Sequence, residues 1–361
     1  MRKNILVCPL EWGLGHAGRM IPLIGKLISM NHNVIIGTGK DHINFFTTEF
    51  PGLTCIYFPG FRIKYSRFLP QYLVITLKIP AFIIQSIKDH LKLKKLIREY
   101  NFDIVISDSR TGLWNRGIKT VLITHMPRIP YPRGIRFLEN TIIPLARRVI
   151  NRYSYCYIPD FAEESNISGK LSHNLKLTDN TRFIGLLSRF TSFQSNAVPV
   201  AKKFYCTVIL SGPEPQKGIL KQTMVSILEK DSRKSVILEG RPGSEKKVET
   251  RGNLTYINHL PTSEMYSLIL ESENVVTRSG YTTLMELISI KKSALIIPTP
   301  GQPEQEYLAE YMEKRGWFKA VTQKESEISG SLPVKGYEIP DGLAGRSEEL
   351  LETALAELLE D

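Results

Sequence analysis

The sequence predicts an α/β protein of two Rossmann-like domains, each a parallel sheet covered by helices, and three observations carry that prediction. Short apolar runs alternate with longer stretches of helical periodicity, the pattern of βα repeats. The alternation comes in two series, separated by the polar stretch Ser188 to Val198. The chain's 361 residues, 42% of them apolar, suffice for two domains that each bury a core.

In the first series, Ile5 to Pro9, Asn33 to Gly37, Thr54 to Phe58, Ile104 to Ser107 and Thr120 to Thr124 read as strands, with helices near Ile21 to Met30, Ile43 to Glu49 and Ile79 to Tyr100. The second runs as strand Cys206 to Leu210, helix Ile219 to Lys230, strands Ser235 to Glu239 and Leu254 to Ile257, and helix Glu264 to Glu271. It continues with strand Asn274 to Thr277, helix Thr282 to Ile288, strand Ala294 to Pro298 and helix Glu304 to Arg315. The linker is expected near Thr191 to Pro199, which gives an N-terminal domain over residues 1–190 and a C-terminal one over 200–345. The last segment, 346–361, holds an amphipathic helix, Ser347 to Leu359, capped by Ser347 before acidic first-turn residues. It is able to pack back on either domain, the N-terminal one included.

Composition narrows the partners. The formal charge of +11 suits nucleic acid, an anionic membrane or a phosphorylated substrate. Much of the excess lies in Arg62 to Arg98 and Arg128 to Arg152. In the first stretch Lys64, Arg67, Lys78, Lys88, Lys92, Lys94, Lys95 and Arg98 interleave with Phe68, Leu69, Tyr72, Leu73, Leu77, Ile79, Phe82, Ile83 and Ile84. Basic residues framing aliphatic ones suit a contact with an anionic membrane surface; the same pattern also fits a helix whose apolar side faces a core. Lys78 and Pro80 interrupt the best candidate for a bilayer span. Cys8, Cys55, Cys156 and Cys206 form no Cys-x-x-Cys pair and read as free thiols of a reducing compartment. The start of the chain carries no signal-like apolar run, so the expected location is cytoplasmic.

The first strand leads into Glu11-Trp12-Gly13-Leu14-Gly15-His16-Ala17-Gly18-Arg19. Gly13 and Gly15 give a turn whose backbone a ligand or phosphate can approach. The spacing matches Gly-x-Gly-x-x-Gly, but the second strand, Val34 to Lys40, ends without the carboxylate that would bind an NAD ribose. His16 falls at the C-terminal rim of a parallel sheet, where a neutral imidazole can take a proton from a hydroxyl; it equally suits a histidine that caps its own turn. Asp108, after the fourth strand, shares that rim and is able to orient His16, or to make an Asx turn. His125, after the fifth strand, has the same two readings.

In the second half, Ser211 and Gly212 follow a strand and precede a helix, a diphosphate cradle or a tight turn shaped by prolines. The segment Asn274 to Trp317 is more specific. Arg278-Ser279-Gly280 forms a turn between strand and helix, Thr282 stands near the cap, and Glu286 follows on the first turns. Glu286 can accept from two ribose hydroxyls, and the Ser279-Gly280 turn with its helix N-terminus can neutralise phosphate charge. Gln302, Glu304, Gln305 and Glu306 in the next proline-rich loop can read sugar hydroxyls.

Residues Arg278 to Trp317 resemble the donor-binding domain of the lipid II N-acetylglucosaminyltransferases and their GT-B relatives, the diacylglycerol glycosyltransferases among them. The glycine turn ending in His16 resembles the N-terminal loop of that group. Taken with Leu210 to Gln216, the likeness is greatest to poorly characterised bacterial members. The resemblance implies a GT-B fold, two Rossmann-like domains facing a cleft. It makes Glu286 the ribose ligand, Ser279 and Gly280 part of the diphosphate site, Gln305 a reader of the donor hexose and Leu260 a neighbour of the uracil. Two departures stand out: Ser211-Gly212-Pro213-Glu214 replaces a Ser-Gln-Gly loop, and Ala309 replaces an asparagine.

The implied reaction is inverting hexosyl transfer from a nucleotide sugar, UDP-linked, to a hydroxyl of a lipid-linked or membrane-associated acceptor, as in cell envelope biosynthesis. His16, helped by Asp108, is the base, and Arg278 a candidate to steady the leaving diphosphate. No cofactor or metal is expected, since no Asp-x-Asp motif is present and protein dipoles can stand in for a cation. The expected location sharpens to a peripheral enzyme on the inner face of the cell membrane. Two rivals are a nucleotide-sugar hydrolase, which the Gly-Leu-Gly-His-Ala-Gly-Arg turn also resembles, and a basic nucleic-acid-binding protein. The latter lacks any helix-turn-helix, RNP-like or zinc signature, so no nucleic acid partner is expected.

Overall fold

The computed structural model describes residues 1–62, 71–196, 200–241 and 246–360. They form two compact units. The first takes Met1 to residue 62, Tyr72–Ser188 and the chain from Leu343; the second is Arg189–Gly342.

The first unit holds seven strands: β1 Asn4–Cys8, β2 Asn33–Thr38, β3 Thr54–Tyr57, β4 Ile104–Asp108, β5 Lys119–Ile123, β6 Tyr155–Ile158 and β7 Thr181–Phe183. They make one sheet in the order β3-β2-β1-β4-β5-β6-β7, with every pairing parallel. Its helices are α1 Leu14–Gly18, α2 Met20–Ser29, α3 Lys40–Glu49, α4 Gln71–Tyr100 and α5 Glu139–Ile150. Central strands buried on both faces read as continuous apolar runs, and Ile5, Leu6, Val7 and Cys8 of β1 have no exposed surface. Each such side chain contributes about 1.5–3 kcal/mol of apolar burial. Leu93 and Leu96 bring α4 onto this core beside Leu6, Ile35 and Val105. All four cysteines are free thiols; burial pushes Cys8, Cys156 and Cys206 up to about 12, so they remain protonated.

The second unit repeats the plan. Its strands are β8 Phe204–Ile209, β9 Ser235–Leu238, β10 Val248–Arg251, β11 Leu254–Ile257, β12 Ser272–Thr277, β13 Leu295–Ile296 and β14 Lys319–Ala320. The order is β10-β11-β9-β8-β12-β13-β14, parallel except for the β10–β11 hairpin at one edge. Helices α6 Gln216–Leu228, α7 Thr262–Leu270, α8 Tyr281–Ser289, α9 Pro303–Lys314 and α10 Glu325–Ser329 complete it. The α/β architecture of two parallel-sheet domains is therefore the one the alternation predicts. The polar segment expected as a linker begins with a 3-10 turn, Thr191–Asn196, whose Phe193 stacks on Tyr266 of α7; residues 197–199 lie outside the described residues.

The last helix, α11 Leu343–Leu359, belongs to the first unit. Tyr157 of β6 donates to the Ala354 carbonyl at 2.6 Å, and Arg182 of β7 makes a two-pronged ion pair with Glu357 at 2.9 and 2.7 Å. Ser347 does not cap this helix, which begins four residues earlier. Its hydroxyl lies inside, donates to the Leu343 carbonyl at 2.6 Å and accepts the Leu186 N–H at 2.9 Å. Ser347 is thus an anchor rather than a cap, because the helix surface it stands on is buried against Gly185 and Leu186.

Candidate active site

Both sheets reverse strand order at their centres, at β1/β4 and β8/β12. Open α/β sheets bind ligands at the C-terminal ends of strands flanking such a point, and most of the residues singled out by sequence follow these strands or their neighbours β5 and β13.

In the first unit, β1 ends at Cys8 and the chain turns through Gly13, whose φ of 141° only glycine adopts readily, into α1. The turn is fixed from outside. Glu11 accepts the Gly60 N–H at 3.1 Å and Arg62 Nε at 2.7 Å, and the Trp12 indole donates to the Phe61 carbonyl at 2.9 Å. Gly15 is exposed in α1. His16 follows, about one-fifth exposed, with Nδ1 at 2.8 Å from Asp108 Oδ2. Asp108 is the last residue of β4 and is fully buried.

Arg19, to which sequence reasoning gave no role, completes the group. It is 1% exposed, donates from Nε to Asp108 Oδ2 at 3.0 Å and from Nη2 to Oδ1, and reaches His125 Nδ1 at 3.1 Å through Nη1. Its separation of three residues from His16 places both on one helical side, a signal that was available. His125, 7% exposed, thereby joins His16 and Asp108 in one cluster. Burial alone would raise the Asp108 carboxyl, but the Arg19 cation and His16 hold it well below the usual carboxylate range. His16 is pushed below its ordinary value by burial and then by Arg19, against the pull of Asp108. A neutral imidazole with Nδ1–H on a carboxylate carries its lone pair on Nε2, the form of a general base.

In the second unit, the loops after β8, β12 and β13, three neighbouring strands, hold most of the remaining residues. Ser211 is half-buried and Gly212 exposed, at φ 89°. Gly280 ends its loop in extended backbone and α8 starts directly after it, with Thr282 in its first turn, so the N-terminus of α8 follows the loop. Glu286, 4% exposed, accepts Arg189 Nε at 2.7 Å. Arg189 also went unrecognised, since a single arginine at the end of an apolar run carries no periodic signal.

Two residues take a different part from the one expected. Arg278 is fully buried, and its guanidinium donates to the carbonyls of Ile297, Pro298 and Gln216 at 3.3, 3.2 and 2.7 Å. Burial pushes it down to about 10. It ties three loops together through its Nη groups, while its Nε is buried with no hydrogen-bond partner among the described residues. The Ser279 hydroxyl likewise donates to the Gln305 carbonyl at 2.8 Å, bracing α8 against α9. The Gln305 side chain, 7% exposed, accepts the Thr299 N–H at 2.8 Å through Oε1, and Glu306 accepts the Gly301 N–H at 2.9 Å. These two residues shape the Pro298 to Gln302 loop. Within it Thr299 Oγ1 and Gln302 Oε1 are buried with no hydrogen-bond partner among the described residues, a costly arrangement unless a ligand completes it. Glu304 is half-buried in the first turn of α9. Leu260, 9% exposed, precedes α7 and stands apart from these three loops in the chain. Among the described residues no cluster of three or more His, Cys, Asp or Glu is suited to hold a metal.

Residues 216–332 match the glycosyltransferase family 28 C-terminal domain. Over 345 residues the chain is 23% identical to a Methanosarcina acetivorans protein named as an uncharacterized glycosyltransferase, covering 89% of this chain and 86% of that one. Over 274 residues, 72% of each chain, it is 23% identical to the UDP-N-acetylglucosamine--N-acetylmuramyl-(pentapeptide) pyrophosphoryl-undecaprenol N-acetylglucosamine transferase of Natranaerobius thermophilus. Among solved structures, a spinosyn rhamnosyltransferase matches with a TM-score of 0.64 at 15% identity over 100% of both chains. The same enzyme complexed with thymidine diphosphate matches with a TM-score of 0.60 at 14% identity, covering 99% of this chain and 96% of that one. The fold, the matched domain and the relatives agree on one class, and the protein is a glycosyltransferase of the GT-B fold whose residues 216–332 match the family 28 C-terminal domain.

Proposed function

We propose that the protein transfers a hexose, with inversion and without a metal ion, from a UDP-linked sugar to a hydroxyl of a lipid-linked or membrane-associated acceptor at the inner face of the cell membrane. The observation that carries the donor half is Glu286, a buried carboxylate on the second turn of a helix whose N-terminus follows a glycine loop. A carboxylate has lone pairs for more than one donor, so Glu286 can hold Arg189 through Oε1 and still accept ribose hydroxyls. The first-turn N–H groups of α8 then take the charge of the diphosphate as it leaves. Thr299 Oγ1 and Gln302 Oε1 offer hydrogen-bonding atoms for the sugar.

The acceptor half falls to His16. Nε2 takes the proton of the acceptor hydroxyl while that oxygen forms its bond to the anomeric carbon and the bond from that carbon to the diphosphate breaks. Asp108 holds Nδ1–H and stabilises the imidazolium that results. A lipid acceptor is supported by α4. Leu77, Ile83, Ile84, Ile87 and Leu91 are each more than half exposed, beside exposed Lys78, Lys88, Lys92, Lys94, Lys95 and Arg98. The relative from Natranaerobius is named for an undecaprenol-linked substrate. Residues 63–70 of the basic stretch lie outside the described residues.

The donor site is tested with Glu286→Gln, which keeps the volume and removes the charge. UDP and thymidine diphosphate are compared by thermal shift on wild type and variant. One of them should stabilise the wild type, and the variant should lose most of that stabilisation. Undiminished stabilisation of the variant removes Glu286 from the site. Release of free sugar from the donor at a rate unaffected by any lipid acceptor would turn the reading toward hydrolysis.

A further inference from the structure

The cluster around Asp108 contains one arginine more than a base and its orienting carboxylate need. Arg19 lies between α1 and α2 and is as buried as the carboxylate it grips. Burying an ion pair is expensive and often no better for stability than apolar packing, so its presence beside two histidines asks for another account.

We propose that Arg19 is a positioning residue that decides which nitrogen of each rim histidine carries a proton: it neutralises Asp108 so that His16 stays an uncharged base with its lone pair on Nε2, and it obliges His125 to accept at Nδ1. The inference rests on the reading of His16 as the base of the reaction.

His16 Nδ1 has two near neighbours, Asp108 Oδ2 at 2.8 Å and Arg19 Nη2 at 2.8 Å. Nδ1 cannot donate to the first and accept from the second at once. Arg19 Nη2 has other acceptors in Asp108 Oδ1 and, at 3.4 Å, Ser109 Oγ. A bare Nδ1 lone pair facing Oδ2 would set two electron-rich atoms against each other. The consistent assignment puts the proton on Nδ1 and leaves Nε2 open. At His125 the logic is reversed, because an arginine has no lone pair to offer. With Nη1 at 3.1 Å, His125 Nδ1 must accept, and its ring proton sits on Nε2. One guanidinium thus gives two neighbouring imidazoles opposite tautomers.

The charge balance points the same way. The groups facing His16 are Arg19, Asp108 from β4, His125 from beyond β5 and His42 from α3. Asp108 alone would draw a proton onto the ring; with Arg19 in place that charge is already met. Burial and Arg19 outweigh Asp108, and His16 lies below its ordinary value.

Imidazole nitrogen NMR on the full chain reads this directly, with the seven histidines resolved and His16 and His125 assigned through His16→Gln and His125→Gln. In the wild type His16 should carry its proton on Nδ1 and titrate below an ordinary histidine, while His125 carries its proton on Nε2. In Arg19→Met the His16 titration should rise above its wild-type value and the His125 tautomer preference should be lost. Arg19→Lys restores the charge without the fork; it should return the His16 titration toward wild type but not the His125 tautomer. A wild-type His16 protonated on Nε2, or a folded Arg19→Met whose His16 titration does not move, overturns the proposal. Should Arg19→Met fail to fold, the wild-type tautomers and the lysine variant decide. None of these signals depends on nucleotide or acceptor, so a protein that shows them but transfers no sugar would refute the function and leave the role of Arg19 standing.

Discussion

The sequence singles out His16 and Arg278 alike, and burial gives them different parts. Arg278 is fully buried and donates from both Nη groups to loop carbonyls, so its identity serves the loops. His16 keeps a fifth of its side chain exposed while its inner nitrogen is fixed by Asp108. That asymmetry has a pH consequence. The folded-state value of His16 is depressed, so the folded protein resists a proton that the unfolded chain accepts. Stability is full above the ordinary histidine value near ~6.5 and falls as the pH drops through and below it. Asp108, also depressed, acts in the same direction at lower pH, below the usual carboxylate range. Urea unfolding of wild type and His16→Gln at about pH 7.5 and about pH 5.5 isolates the histidine. His32, His42 and His90 are depressed as well and weaken both proteins on acidification. The wild type should nevertheless lose more stability than the variant between the two conditions, and equal losses would show that the His16 ring is not held neutral by the fold.

At the scale of elements, the docking of α11 depends on a glycine. Gly185 has φ 70°, and a Cβ there would stand 2.4 Å from Ser347 Cα. Gly185→Ala should therefore cost about 1–2 kcal/mol in backbone conformation and in addition force α11 outward, breaking the Leu186 N–H to Ser347 bond. The expected result is a melting temperature lower by roughly 3 °C or more, with earlier proteolytic release of the C-terminal helix; an unchanged melting curve would show that the helix docks without this contact. The same region shows what sequence could not supply. Strands β1, β2, β4, β5, β8, β9 and β12 were readable because each contains a run of buried apolar residues bounded by turn residues. Strand β7 is three residues, Thr181–Phe183, too short for any period, and β6 sits among tyrosines and serines after a basic stretch. Helix α5, at Glu139–Ile150, was read only as charge because Arg147 and Arg148 fall within the basic stretch Arg128 to Arg152. The N-cap reading of Ser347 failed for a related reason: a serine before glutamates looks the same whether it opens a helix or lies one turn inside. At the candidate site, residues on the loops after strands were legible from strand, turn and helix order. Arg189 and the shared grip of Arg19 were not, since both depend on partners distant in the chain.

For the molecule as a whole, the net charge of +11 acquires a place as well as a sign. No described helix is long and apolar enough to cross a bilayer, yet α4 leaves Leu77, Ile84, Ile87 and Leu91 exposed along one side while Leu93 and Leu96 reach the core. The sequence left open whether the apolar residues of this helix face inward or outward, and the helix does both, with the outward set framed by lysines. Lysine stems can lie along apolar surface while their ammonium groups reach anionic headgroups. Each basic residue near such a surface contributes about 1 kcal/mol, so Lys94→Gln with Lys95→Gln should weaken binding to vesicles containing an anionic phospholipid by roughly 30-fold at low salt. That loss should shrink as salt rises. Ile84→Ser with Ile87→Ser should weaken binding at every salt concentration, because the apolar contribution is unscreened. Flotation with anionic and purely zwitterionic vesicles separates the two contributions. Wild-type protein that stays unbound to anionic vesicles at low salt would remove the membrane from the proposal, and the lipid-linked acceptor would then lose its structural support, while the donor site around Glu286 and the His16 base would stand unaffected.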